Sequence, residues 1–241
     1  MILTRPPLSG ALGSHAAAFT PPSIANCELY LEADTQPVVA DGTNASAWTD
    51  QSGNGRTATP SGGNPPKYYN NQLNGLPALD MTAQWFDFAS NFMSGFTAAD
   101  VFFLYKAVAG NVNVLHNWSS NADAYQPYSS NLFYEDFGST TRRDAITTLV
   151  DPATQFRLYE VAASAGQYDI RQDGNSMFSA ASNTVGFAIP GGTPHLGHSN
   201  SQYSTGATRL IASGLYSRIL TLTERNQLRD YYNTKYGLSI S

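Results

Sequence analysis

In the stretch Cys27-Glu28-Leu29-Tyr30-Leu31-Glu32-Ala33, small or apolar side chains alternate with polar or aromatic ones. Successive side chains of a β-strand point to opposite faces, so this period of two is typical of a strand with one buried face. Most of the sequence that follows lacks the period of about 3.6 residues that marks a helix. The stretch therefore predicts a chain that folds mainly into strands.

Turn signals divide the rest of the chain into short segments. They include Ser52-Gly53-Asn54-Gly55 and Ser61-Gly62-Gly63-Asn64-Pro65-Pro66, and Asp173-Gly174 is a strong hairpin signal. Further strands are predicted at residues 76–81, 84–89, 100–108, 111–118, 131–137, 144–149, 155–163, 167–172, 176–180, 184–189, 194–199 and 207–218. Many short strands at regular spacing predict a sandwich or a barrel.

One helix is predicted near the C-terminal end. Thr221 and Glu224 have the spacing of a capping box, in which each side chain bonds the backbone N–H of the other residue. Leu228, Tyr231, Tyr232 and Lys235 follow at helical spacing. Gly237 stands where a left-handed C-cap is expected.

Residues 1–25 are predicted to form an extended N-terminal arm, and residues 26–241 one domain. Pro6-Pro7 and Pro21-Pro22 disfavour a helix, and the interrupted apolar pattern does not fit a cleaved signal peptide. The larger apolar residues of the arm are Ile2, Leu3, Leu8, Leu12 and Phe19. A disordered tail is normally more polar, so we expect the arm to dock on a neighbouring subunit, with a floppy leader as the alternative.

The composition excludes several classes of function. Charged residues make up 13% of the chain and the net charge is −5, so no attraction to nucleic-acid phosphates is expected. No apolar run has the roughly 18–20 residues of a membrane span. Cys27 is the single cysteine, which rules out an internal disulfide and fits synthesis in a reducing compartment such as a bacterial cytoplasm.

Three stretches together resemble the concanavalin A-like lectin/glucanase superfamily, specifically its laminin-G-like members. They are Leu29 to Asp34 followed by Trp48 to Gly55, Asn74 to Asp80, and Leu215 through the last helix to Leu238. The resemblance covers about residues 27–239. It implies an all-β fold: a two-sheet antiparallel jelly-roll sandwich, with the short C-terminal helix against one edge.

The arm adds a narrower resemblance. Phe19-Thr20-Pro21-Pro22-Ser23-Ile24 is similar to the start of many phage virion proteins that carry this domain. It implies a tail, fibre or capsid-surface protein that is made in the host cytoplasm and bound to other virion proteins through the arm. A homo-oligomer is expected on the same ground.

The segment from Trp48 to Gly55 has two interpretations. In the structural one, Asp50 and Asn54 bond nearby backbone and Trp48 anchors the loop to the core. In the other, the loop binds calcium, which takes six to eight oxygen ligands. Asp34, Asp41 and Asp50 are the carboxylates that would supply them. We expect no cofactor, with calcium left as the alternative.

No catalytic arrangement is evident in the sequence. Glycosidases on this fold need two carboxylates about 5–5.5 Å or 6.5–9.5 Å apart. Glu28 and Glu32 share a strand face but lie roughly 13 Å apart at about 3.3 Å per residue. On a strand, His195 and His198 face opposite ways, so they do not predict a metal site. The protein is therefore expected not to be an enzyme.

The loop after the predicted strand 111–118 is the best candidate for a binding site. Sugars stack on aromatic rings while amides and carboxylates bond their hydroxyls. Its candidate residues are Trp118, Asn121, Asp123, Tyr125 and Tyr128. The alternative is that these aromatic residues pack the loop or contact a partner subunit.

These observations predict a non-catalytic phage structural protein displayed on the virion, in contact with a host glycan. The alternative function is a carbohydrate-binding module of a secreted or surface protein. A glycoside hydrolase is the third function considered.

Overall fold

The computed structural model of the chain describes residues 18–61, 63, 65–108, 113–118, 124–128, 131–143, 149–150, 152–187, 194–198 and 208–241. The strands are β1 Cys27–Glu32, β2 Thr43–Asn44, β3 Thr59–Pro60, β4 Lys67–Leu73, β5 Leu76–Asp80, β6 Phe86–Asp87, β7 Ala98–Ala107, β8 His116–Asn117, β9 Arg157–Ser164, β10 Gln167–Gln172, β11 Asn175–Ala180, β12 His195–Leu196 and β13 Thr208–Tyr216. The helix α1 spans Leu222–Tyr236, and short 3-10 turns lie at Pro21–Ser23 and Ala33–Thr35.

The strands form two antiparallel sheets. The large sheet has the order β11-β10-β9-β7-β13-β5-β4-β2, with β1 also paired to β13. The small sheet has the order β3-β6-β12-β8. Leu29, Val101 and Phe103 of the large sheet share one core with Phe86 and Leu196 of the small sheet. The predicted all-β, two-sheet antiparallel sandwich with a C-terminal helix is confirmed.

The helix covers a face of the large sheet, whereas the resemblance implied a place at its edge. Leu228, Tyr232 and Tyr236 of α1 pack on Tyr30 and Phe102, which lie on the side of the large sheet away from the small one. Both faces of β1 are therefore buried, and its alternation separates two cores rather than core from solvent. Among the described residues, no helix is long and apolar enough to span a membrane.

Several local predictions are confirmed. Asp173 and Gly174 join β10 to β11 with positive φ angles of 52° and 81°. The capping box of α1 is present, since Thr221 and Glu224 bond each other's backbone N–H. Gly237 ends the helix in the left-handed region at φ 65°.

Other strand predictions differ from the structure. The sequence does not predict strand β4, because Lys67–Leu73 is largely polar. The strand is also irregular, since Asn71 within it has a positive φ of 52°. The predicted strand 131–137 appears as isolated bridges, including Tyr125 with Tyr134 and Glu135 with Arg143. Most of the predicted strand 144–149 lies outside the described residues.

The last residues of the predicted arm contact the sandwich and its helix. Phe19 packs edge-on against Tyr231 of α1, with ring centroids 6.2 Å apart. The hydroxyl of Tyr216 donates a hydrogen bond to the Pro21 carbonyl at 3.0 Å, and Ile24 is buried. Phe19 therefore contacts its own domain in this chain. The other four apolar arm residues, Ile2, Leu3, Leu8 and Leu12, lie outside the described residues.

A buried group of charges joins α1 to the large sheet. The Arg225 guanidinium donates a hydrogen bond to Asp100, which also accepts one from the Leu220 N–H at 3.1 Å. Glu160 lies 3.7 Å from Arg225 and 3.8 Å from Arg229. Burial and the Asp100 carboxylate raise the pKa of Glu160 to about 7, despite the attraction of the two arginines.

This raised pKa predicts a pH dependence of stability. Between the ordinary pKa of 4.5 and about 7, folded Glu160 keeps a proton that the unfolded chain has released. We therefore expect the free energy of unfolding to fall as pH rises through this window, by about 1 kcal/mol per pH unit. Urea denaturation at pH 5, 6, 7 and 8 measures it. The Glu160→Gln variant has no such proton, so its slope should be smaller, and equal slopes would refute the assignment.

Candidate functional site

The structure places Trp118 of the predicted sugar-binding loop in the core. Its side chain is fully buried, and its ring lies 5.5 Å from that of Phe103 and 5.9 Å from that of Phe88. A ring in this position does not offer a face to a ligand, so the prediction for Trp118 is corrected. Asn121 and Asp123 of the same loop lie outside the described residues.

Tyr125 and Tyr128 belong to a cluster of tyrosine rings that pack on one another. Their centroids lie 5.4 Å apart, and Tyr134 lies 5.1 Å from Tyr128. The Arg142 guanidinium covers the Tyr134 ring at 4.9 Å. Tyr125 is 4% exposed, whereas Tyr128 and Tyr134 are half-buried. This tyrosine cluster fits the alternative in which the aromatic residues pack the loop.

A buried glutamate next to this cluster connects the two sheets. Glu135 accepts hydrogen bonds from the Tyr159 hydroxyl of β9 at 2.8 Å and from Gln126 at 2.6 Å, and His116 of β8 lies 3.2 Å away. Burial alone would raise the pKa of Glu135, but the attraction of His116 and the hydrogen bonds from the Phe137 N–H and the Tyr159 hydroxyl lower it. Both Glu135 and His116 are fully buried, so the group lies in the interior of the protein.

The outer face of the small sheet carries a different set of side chains. Phe86 and Phe88 are buried in the core, whereas Trp85 and Asp87, which alternate with them along the chain, are half-buried. Alternation along this strand therefore places Trp85 and Asp87 on the face away from the core. The backbone register extends this polar face across the sheet, since Asp87 lies opposite His195 of β12.

The same register forms a row of polar residues from one edge of the small sheet to the other. Thr59 pairs with Asp87, Asp87 with His195, and His195 with Asn117. The Nδ1 atom of His195 lies 2.7 Å from the Asp87 carboxylate, and their side chains are 16% and 39% exposed. The row contains an exposed hydroxyl, the half-buried carboxylate and imidazole, and the buried amide of Asn117.

His198 lies on the same side as His195, whereas the sequence predicted opposite sides. Strand β12 ends at Leu196, and Gly197 turns the chain at a φ of 83°. A side chain there would also come within 3.0 Å of the Gln84 carbonyl oxygen. The His198 ring therefore lies 4.4 Å from the Trp85 ring and 5.4 Å from that of His195. We call Trp85, Asp87, His195 and His198 the outer-face cluster.

The outer-face cluster has the composition of a site for a polar, ring-shaped ligand. The indole of Trp85 supplies a broad apolar face, and the neighbouring carboxylate and imidazole supply hydrogen-bonding groups. Within the described parts of the chain, no three His, Cys, Asp or Glu side chains are placed to hold a metal ion. The arrangement therefore fits stacking and hydrogen bonding.

The three carboxylates considered for calcium are engaged separately. Asp34 lies 2.7 Å from the Lys235 ammonium, and Asp41 accepts from the Asn70 N–H at 2.7 Å. Asp50 accepts from the backbone N–H groups of Tyr30, Ser52 and Arg56.

The indole of Trp48, in the same loop as Asp50, is fully buried and donates to the Glu32 carbonyl at 2.9 Å. The structural interpretation of the loop from Trp48 to Gly55 is confirmed by these contacts.

The sequence carried part of the signal for the outer-face cluster. The predicted strand 84–89 places Trp85 and Asp87 on one face, opposite Phe86 and Phe88. Its pairing with residues 195–196, more than a hundred positions away, leaves no local trace in the sequence. The sequence therefore does not predict that Trp85 lies beside His195 and His198.

Comparison with known proteins identifies the fold. In sequence, neither a protein family nor a curated protein matches the chain. In structure, it is similar to domain 4 of AbnA, a GH43 extracellular arabinanase from Geobacillus stearothermophilus, solved with arabinotriose. The TM-score is 0.60 at 14% identity, over 85% of this chain and 97% of that one.

Two further structures are similar at the same level. Trypanosoma rangeli sialidase, in complex with sialic acid, has a TM-score of 0.59 at 11% identity over 90% of this chain. The binding domain of Paraclostridial Mosquitocidal Protein 1 has a TM-score of 0.60 at 13% identity over 83%. This chain spans 34% of the sialidase and 53% of the toxin domain. At these identities the likeness establishes a β-sandwich fold.

Proposed function

We propose that this protein is a non-catalytic glycan-binding domain and that the outer-face cluster is its binding site. The observation that carries the proposal is the half-buried Trp85 ring beside the Asp87–His195 pair on the outer face of the small sheet. A sugar stacks its C–H face on an indole while its hydroxyls bond to neighbouring carboxylate and imidazole groups. The four side chains provide both kinds of contact within one surface.

The structural neighbours support a sugar as the ligand. The AbnA domain matches nearly its full length to this chain and was solved with arabinotriose. The sialidase was solved with sialic acid, and the toxin segment is a binding domain. Because these likenesses are distant, they support the class of ligand and leave its identity to experiment.

The contacts of the glutamates support a non-catalytic role. Glu28 pairs with Arg56, and Glu224 caps α1. Glu32 accepts from the hydroxyls of Tyr231 and Tyr236. The remaining two, Glu135 and Glu160, are buried in the structural groups described above. Each glutamate is thus held in a contact that stabilises the fold.

Replacing Trp85 with alanine is expected to weaken glycan binding at least about tenfold, because the stacking face is removed. The wild-type protein is first screened on an array of plant, bacterial and animal glycans that includes arabinotriose and sialic acid. The dissociation constant for the strongest ligand is then measured by calorimetry for both proteins. Trp85→Phe keeps a smaller ring and should lie between them.

The matched control is Tyr134→Ala, which removes a half-buried ring from the tyrosine cluster. It should leave the dissociation constant unchanged. Loss of binding in Tyr134→Ala, with Trp85→Ala unaffected, would move the site to the predicted loop. Absence of binding to every glycan on the array would refute the proposed function.

Placement on a phage virion stays a prediction from the sequence of the arm, as do an oligomer and contacts with other virion proteins. A virion-surface domain that binds a host glycan is compatible with the proposed site.

A further inference from the structure

A cleft lies on the side of the sandwich opposite the outer-face cluster. It is bounded by strands of the large sheet and by residues 237–240, which follow α1, and its volume is about 440 Å³. Lys106, Arg157 and Asp173 provide its charged groups, Gln72 and Gln155 its amides, and Leu238 and Ile240 part of its apolar lining. Volumes of roughly 300–1,000 Å³ are typical of small-molecule sites.

Lys106 distinguishes this cleft from the rest of the surface. It is half-buried near the end of β7. Among the described lysines and arginines, its side chain alone has no hydrogen bond, ion pair or ring contact, whereas the side chain of each of the others has at least one. In a chain of net charge −5, a lysine side chain without an ion-pair partner is a positive charge that an anion from solution can pair with.

Three other polar side chains of the cleft, those of Gln72, Arg157 and Asp173, are already bonded to the protein. Asp173 accepts from the Leu158 N–H and from the Arg157 guanidinium, both at 2.9 Å. Gln72 donates to the Asn70 carbonyl at 2.8 Å and accepts from Arg209. The Arg157–Asp173 pair is neutral as a whole, so Lys106 gives the cleft a net positive charge.

We propose that this cleft binds a small carboxylate-bearing molecule of monosaccharide size, with the carboxylate against the Lys106 ammonium. One unpaired cation fits one carboxylate, since a charge-assisted hydrogen bond to lysine contributes more than a neutral one. The apolar lining from Leu238 and Ile240 fits a carbon skeleton. This site is independent of the outer-face cluster and of the proposed function.

The test uses D-glucuronate as the probe and D-glucose as its uncharged counterpart, with the full chain in both cases. Binding is followed by the amide chemical shifts of residues 237–240 and of Lys106. D-glucuronate should shift these signals and saturate them, and D-glucose should not. Affinity should fall as salt is added, because the contact is electrostatic.

The decisive comparison is between variants of Lys106. Lys106→Met keeps most of the side-chain length without the charge and should weaken D-glucuronate binding at least about tenfold. Lys106→Arg keeps the charge and should retain affinity within about threefold. Lys67→Met, which removes a lysine bonded to Asn44 elsewhere on the large sheet, should change nothing.

Two results would overturn the proposal: no saturable shift at residues 237–240 with D-glucuronate, or equal affinities in wild type and Lys106→Met. Neither result bears on Trp85, so failure here and failure of the proposed function are distinguishable.

Discussion

Replacing Trp118 with alanine is expected to lower the free energy of unfolding by about 3–5 kcal/mol. The indole is fully buried between the sheets and packs against the rings of Phe88, Phe92 and Phe103. Alanine would leave a cavity that these neighbouring rings fill only in part. Urea denaturation monitored by circular dichroism measures the loss.

Two variants make this result specific. Trp118→Phe keeps an aromatic ring in the site and should lose less than half as much stability. It also removes an indole N–H that has no hydrogen-bond partner in the described part of the chain. Val38→Ala, at a side chain that is 82% exposed, should change stability by less than about 0.5 kcal/mol.

The same experiment separates a core role from a binding role. Folded Trp118→Phe should bind glycan as the wild type does. A stable Trp118→Ala variant that has lost glycan binding would restore the site predicted from the loop sequence.

Replacing Asp100 with alanine is expected to lower the free energy of unfolding by about 3 kcal/mol. The change leaves the Arg225 guanidinium buried without its main carboxylate partner, and it removes the acceptor of the Leu220 N–H. The loss should fall at the lower end of the range for a broken buried pair, because Glu160 remains beside Arg225.

The double variant Asp100→Ala/Arg225→Met tests the physical reason. Removing both charges leaves no isolated buried ion, so the double variant should be more stable than Asp100→Ala alone. Asp230→Ala, at an exposed aspartate of the same helix, serves as the control and should have little effect. A loss below about 1 kcal/mol for Asp100→Ala would show that the pair does not anchor the helix.

Features set by neighbouring residues were predictable from the sequence. The alternation of β1, the capping box at Thr221 and the hairpin at Asp173-Gly174 each depend on side chains within a few positions of one another. Each of these short sequences is compatible with few other backbone conformations. The structure has all three where the sequence predicted them.

Features set by distant pairing were not predictable in the same way. Local alternation separates the face of Trp85 from that of Phe86 and Phe88, but nothing local indicates that Trp118 is fully buried whereas Trp85 is half-buried. That difference follows from the pairing of β12 with β6 and β8, which fixes the face of every residue in the small sheet. The path of α1 over the large sheet likewise depends on the positions of Tyr30 and Phe102.

The central place of β13 has a consequence for how the chain acquires its structure. This strand pairs with β7, β5 and β1, so Leu29 near the beginning of the domain lies beside Leu215 near its end. A ribosome must therefore release almost the whole domain before the middle of the large sheet can close. Contacts so distant in sequence slow folding. The edges of the early strands therefore stay unpaired until β13 has been synthesised.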